Sequence, residues 1–177
     1  MNLSPTSYVV LGLVASRGPA TPYELKAFVA KSVGNFWSFP HAQLYSEPAR
    51  LAAAGLLTEE RETEGRRRRR FSVTADGLAV LRRWLSDPAV DSAEMRDPGL
   101  LKLFFAGLGR PGDVDALAAE QEIFHQRRLV GYQQQDAHLA QKGSDKYARA
   151  TLQMGLRFEQ TAVEFWRQVR ELGVGPP

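Results

Sequence analysis

The chain has 177 residues, enough for one well-packed domain and a smaller one, and its 44% hydrophobic content is that of an ordinary globular protein, which excludes disorder throughout. Its 23 basic and 20 acidic residues leave a net charge of only +3, but unevenly: residues 1–90 hold 12 basic and 8 acidic side chains, whereas residues 91–177 hold 11 and 12. The absence of cysteine excludes disulfides, thiolate metal sites and a cysteine nucleophile, and the apolar run Val9 to Ala15 is too short to span a bilayer, so the chain reads as cytoplasmic with no membrane partner.

In chain order, "SPTSYVVLGLVASRG" places Ser and Pro at an N-cap and first turn and stops at Gly18-Pro19, which predicts a mostly apolar helix. "TPYELKAFVAKSVG" repeats the device, with Thr21 as the cap, Pro22 in the first turn, and Leu25, Phe28 and Val29 as the stripe. In "PHAQLYSEPARLAAAG", Leu44, Pro48 and Leu51 fall on one narrow face of a third helix, with Gly55 as its stop. Gln43, Ser46 and Arg50 fall on the other face, which reads as free of acidic residues and carries side chains of the kind that read base edges. His41, at the helix entrance, and Tyr45 join them as candidates. Pro48 removes one helical hydrogen bond, so a kink, or a fresh start for the second half, is expected.

"LLTEERE" and "RRFSVT" are strand-like and flank a turn around Gly65, which predicts a β-hairpin with Phe71 and Val73 on one face of its second strand. The run Arg66, Arg67, Arg68, Arg69, Arg70 repels itself, and so is either solvated or matched by an anionic partner. A Thr74 cap then opens a helix with Leu78, Leu81 and Leu85 on one side, ending before Pro88. "NFWSFP", just before the third helix, is the most aromatic stretch and reads as setting that helix's angle.

The rest is helical. "DPGLLKLFFAGLG" predicts a short apolar helix, and two helices of about 30 residues, roughly 45 Å each, follow on either side of Gly143, with Ser144 capping the second. In the last helix Leu152, Leu156, Glu159, Val163, Trp166 and Val169 trace one stripe, which Met154, Phe158 and Phe165 widen. So wide an apolar surface calls for a second chain, and Leu152, Leu156, Val163, Trp166 and Val169 are the candidate dimerisation residues. His41, His125 and His138 read as isolated, His125 and His138 as surface or interface residues, so no metal or other cofactor is expected. No P-loop, nucleophile elbow or dinucleotide fingerprint is present, and no catalytic residue is assigned.

Three helices, a hairpin and a helix make the order of a winged helix-turn-helix. Residues 4–88 resemble the PadR family of bacterial transcriptional regulators in "YVVLGLV", "TPYEL", "QLY" followed by "RLAAAGLL", and the wing pattern "GRRRRRFSVTADG". The resemblance implies a mainly α protein with a winged-helix DNA-binding domain over residues 1–90 and a helical dimerisation domain over residues 91–177. It implies a homodimeric repressor that reads double-stranded operator DNA through the third helix and meets the backbone and minor groove through the arginine wing. It also implies a small aromatic effector near residues such as Trp37, Trp84 and Trp166, although core packing accounts for these as well. A winged-helix module that binds protein rather than DNA is the alternative.

Overall fold

Reciprocal caps and first-turn prolines start the first two helices. In the computed structural model, which describes residues 3–37, 40, 42–61, 68–141 and 146–172, helix α1 spans Pro5–Arg17 and helix α2 spans Pro22–Ala30. Ser4 and Ser7 exchange side-chain to backbone hydrogen bonds at the head of α1, and Thr21 and Glu24 do so at the head of α2. Each pair satisfies N–H groups that the first turn leaves without helical partners. A 3-10 turn, Val33–Asn35, follows α2. Helix α3, Gln43–Ala53, runs through Pro48 as a single element, so the expected restart of the helix does not occur. Leu44, Pro48 and Leu51 are all buried on one face, and that burial outweighs the hydrogen bond Leu44 cannot receive from a proline.

Strand β1, Leu57–Arg61, pairs antiparallel with strand β2, Arg69–Val73, Leu57 opposite Val73 and Glu59 opposite Phe71. The predicted turn of this hairpin lies outside the described residues. Phe71 is fully buried, and its backbone N–H and C=O bond to Ala20, at 2.9 and 3.0 Å, so the base of the wing is held to the α1–α2 connection. Gly55, at φ 75°, takes the left-handed conformation that lets the chain leave α3 directly into β1. Helix α4, Ala75–Ser86, opens on a Thr74 cap as predicted. Leu81 reaches the core, whereas Leu85 stays largely exposed and is not part of the expected stripe. This core joins Val10, Leu11 and Val14 of α1, Leu25 of α2, Leu44 and Leu51 of α3, and Phe71.

The chain divides into two compact units, Met1–Asp91 and Ser92–Pro177. The second is built from helix α5, Pro98–Phe104, a 3-10 turn at Ala106–Leu108, helix α6, Asp113–Gln141, and helix α7, Lys146–Leu172. Gly143 and Ser144, the predicted turn and cap, lie outside the described residues. A core of Ala118, Trp166 and Val169 receives Leu103 of α5, and a Cβ at Gly99 would come within 3.0 Å of the Trp166 ring, which shows how closely α5 approaches it.

The α7 stripe faces α6 within one chain. Leu152, Val163, Trp166 and Val169 are buried there and Leu156 is partly buried, so these five side chains form the seam of a helix pair and are not displayed for a second chain. His125, expected at the surface or an interface, is not a surface residue: it is buried, with Nδ1 2.6 Å from Oε2 of the buried Glu159, while Arg128 Nε donates to Oε1 of the same carboxylate at 2.6 Å and Arg128 Nη2 donates to Tyr132 Oη at 2.7 Å. A buried carboxylate tolerates that position only with such partners.

Gly77, in the first turn of α4, is pressed against the base of the wing: a Cβ there would stand 2.1 Å from the carbonyl oxygen of Leu56. Gly77→Ala is expected to destabilise the protein by about 1–3 kcal/mol through forced separation of α4 and the wing, read as a lower urea midpoint of the full chain.

Candidate nucleic-acid interface

The face of α3 opposite Leu44, Pro48 and Leu51 exposes Gln43, Tyr45 and Ser46. Gln43 is held from below, because Thr6 Oγ1 donates to its Oε1 at 2.7 Å, which leaves the amide nitrogen to donate outward. Arg50 is held more firmly. Its Nε and Nη2 donate to the two carboxylate oxygens of Glu47 at 2.8 and 2.6 Å, and Nη2 also donates to Ser7 Oγ at 2.9 Å. The face therefore does contain an acid, contrary to its reading from the sequence. Burial opposes ionisation of Glu47, but the hydrogen bonds from Arg50 and Ser7, with the Arg50 charge, outweigh it and keep the carboxyl below its usual range. Ser7 belongs both to the α1 cap and to this link, so the first turn of α1 orients α3.

Of the aromatic stretch before α3, Ser38 and Phe39 lie outside the described residues. Phe36 and Trp37 are exposed, and the helix is fixed by its own apolar face and by Thr6 and Ser7. Trp84 stacks on Tyr8 with ring centroids 4.6 Å apart, and Trp166 lies in the core of the second unit. Two of the three tryptophans thus have the packing role that competes with ligand binding.

On the wing, Arg68, Arg69 and Arg70 are described, while Arg66, Arg67 and also His41 lie outside the described residues. Alternation along β2 puts Arg69 on the face of Phe71, and its guanidinium carbon sits 5.3 Å from the Phe71 ring centroid. Both carboxylate oxygens of Glu59 accept from Arg69, Nε donating at 2.7 Å, and Arg61 Nε donates to the same carboxylate at 2.9 Å. Arg70 points to the other side, where Nη2 donates to the Pro19 carbonyl at 3.0 Å and stands 3.9 Å from Glu24. Arg68 is exposed and makes no ion pair with another described residue. The five-arginine run is thus not a uniform positive strip, since at least two of its members are turned back onto the fold.

Sequence reasoning missed Thr6, Ser7, Glu47 and Glu59. The spacing of Glu47 and Arg50 is a helical neighbour spacing and could have revealed that pair. The diagonal pairing of Glu59 with Arg69 could not be found without the strand register, which an uncertain turn length conceals. Among the described residues no cluster of three metal-ligating side chains occurs, and no helix is long and apolar enough to cross a membrane.

This arrangement has known relatives. A family model described as the transcriptional regulator PadR-like family matches residues 10–83, and one described as virulence activator alpha C-term matches residues 95–172. Residues 10–83 are thus similar to PadR-like transcriptional regulators, and residues 95–172 to the C-terminal region of virulence activators. The negative transcriptional regulator PadR of Bacillus subtilis (strain 168) is 27% identical over 100 residues, which cover 55% of this chain and 54% of that protein, so the match spans about half the length of the relative. The crystal structure of Bacillus subtilis PadR in complex with operator DNA is similar with a TM-score of 0.84 at 20% identity, covering 97% of this chain and 99% of that one. The Vibrio cholerae virulence activator AphA is similar with a TM-score of 0.68 at 24% identity, covering 93% and 95%. At these identities the structural likeness establishes the winged-helix fold with its C-terminal helix pair.

The Glu59 pairing makes the wing acid-sensitive. Hydrogen bonds from Arg69, then Arg61, hold the Glu59 carboxyl at about 2, well below its ordinary value of 4.5. A depressed folded-state pKa contributes stability that is complete above the ordinary carboxylate range and disappears as the pH falls through it towards about 2. Glu59→Gln is therefore expected to melt below the wild type near neutral pH, with the gap closing on acidification; melting curves across a pH series measure it.

Proposed function

We propose that the chain is a homodimeric, sequence-specific DNA-binding repressor in which α3 reads the major groove and the wing meets the backbone and minor groove. The observation that carries this reading is the exposed hydrogen-bonding face of Gln43, Tyr45 and Ser46, held by α1, in the same unit as a wing whose arginines lead into a buried anchor, Phe71. Such a face suits base edges, and exposed arginines suit phosphates. The operator-DNA complex of Bacillus subtilis PadR and that protein's role as a negative regulator support the assignment. His41 at the entrance of α3, with Arg66, Arg67, Arg68 and Arg70 on the wing, completes the proposed contact set, and the paired Arg50 and Arg69 take the role argued below. No catalytic step is assigned.

Dimerisation falls to the second unit, on surfaces other than the α6–α7 seam. Phe104, Leu108, Phe124, Met154, Phe158 and Phe165 are all substantially exposed in the single chain. Exposed large apolar side chains in this number are what a second chain would cover. A second copy covers them and pairs two recognition helices for operator half-sites. A small aromatic acid is the effector class we assign, because Bacillus subtilis PadR, of the same fold, has been crystallised with p-coumaric acid.

Binding to duplexes selected from a random-sequence pool tests the DNA reading. Gln43→Ala is expected to cost about 1–3 kcal/mol on the selected duplex and almost nothing on scrambled DNA, whereas Arg68→Ala weakens both and flattens the salt slope by about 0.9. Failure of the wild type to select any duplex would instead favour a protein-interaction module. For the dimer, Met154→Glu with Phe158→Glu is expected to yield a folded monomer at micromolar concentration in sedimentation velocity, while Trp166→Asp unfolds the second unit.

A further inference from the structure

Two arginines of the proposed DNA-facing surface are each gripped by both oxygens of a glutamate: Arg50 by Glu47 on α3, and Arg69 by Glu59 across the wing. Neither glutamate is a loose surface side chain, since Glu47 is 9% exposed and the Glu59 side chain is 20% exposed. Each arginine has further anchors: Ser7 Oγ accepts from Arg50, and the Phe71 ring lies under the Arg69 guanidinium. Arg68, exposed and without an ion pair among the described residues, shows the contrasting state.

An arginine already matched by a carboxylate brings little net charge to DNA. It releases few condensed counterions when a phosphate approaches, so its share of sequence-independent affinity is small. Its remaining N–H edge can still donate, and because the fork is already oriented, little side-chain entropy is lost when a suitably placed acceptor meets it. Nonspecific binding falls while well-matched binding is retained, and their ratio is what selects a site among many competitors.

We propose that Glu47 and Glu59 are specificity-determining residues of the DNA-reading surface, Glu47 fixing Arg50 and Glu59 fixing Arg69, with Arg61 also donating to Glu59, so that each glutamate removes one positive charge from the surface and arbitrary DNA is held weakly. This inference rests on the DNA-binding reading given above. Neither glutamate need touch DNA, and both act through the arginine they hold as positioning residues.

The test uses the full chain with Glu59→Gln and, separately, Glu47→Gln, which keep the side-chain shape and remove the charge. Fluorescence anisotropy titrations over a salt series would use a duplex enriched from a random pool by the wild-type protein and a scrambled duplex of the same composition. Each variant is expected to bind the scrambled duplex more tightly than wild type, by up to about eightfold near 0.1 M salt, with a slope steeper by about 0.9. The enriched duplex gains less, so the ratio of the two affinities falls. Adding Arg69→Ala to Glu59→Gln should return the slope to that of the wild type. Pairs that serve only to stabilise the fold would lower the melting temperature without tightening any DNA binding, so unchanged or weaker binding to scrambled DNA by folded Glu59→Gln overturns the proposal. Glu59 lies on the wing, so this variant decides the matter even if Glu47→Gln fails to fold. A wild type that binds neither duplex overturns the DNA reading itself and the proposal with it, a result distinct from a binding-competent wild type whose variants fail to tighten.

Discussion

Burial of the Phe71 ring is the interaction on which the wing depends. A run of five arginines has no intrinsic reason to form a strand, because like charges on successive residues repel and each prefers water. Phe71 at its end is fully buried in the core of the first unit and exchanges two backbone hydrogen bonds with Ala20. Once that residue is anchored, the period-two geometry of the strand sends Arg69 and Arg70 to opposite faces, where Glu59 and the Pro19 carbonyl wait. The β1–β2 register follows from the same burial, because a slip by one residue would exchange Phe71 for an arginine in the core.

The same economy governs α3. Its apolar face could be satisfied by several rotations about the helix axis that keep Leu44, Pro48 and Leu51 inward. The polar links Thr6 to Gln43 and Ser7 to Arg50 discriminate among them, since both reach from the first turn of α1 and both need short, directed contacts. Buried hydrophobic area thus supplies most of the affinity between helices, and hydrogen bonds fix the angle at which the outward side chains are presented. A recognition surface needs the second property as much as the first.

The second unit solves a different problem. α6 and α7 are long and place a carboxylate, Glu159, in the middle of their seam, where His125 and Arg128 surround it. Such a centre adds little net stability compared with a hydrocarbon of the same volume, but it penalises any register in which the three groups fail to meet. The pairing of two otherwise repetitive helices is thereby made unique, and the apolar side chains left on the outside keep fixed positions.

Much of the fold was legible in the sequence. The Ser4-Pro5 and Thr21-Pro22 starts, the glycine stops, the alternation around Phe71 and the α7 stripe are local signals, each set by neighbours within one or two turns, and each names its element directly. What the sequence alone could not decide were pairings between distant positions. The acid beside Arg50 hides in plain view because helical spacing permits but does not require the contact, and the partner of Arg69 depends on a hairpin register that no single strand encodes. Likewise His125 reads as a surface residue until Glu159, 34 positions away, is brought against it. Local propensity determined which elements form and which residues face inward; only tertiary packing decided which arginines remain available for a partner, because a charge is paired or exposed according to what stands across from it in space.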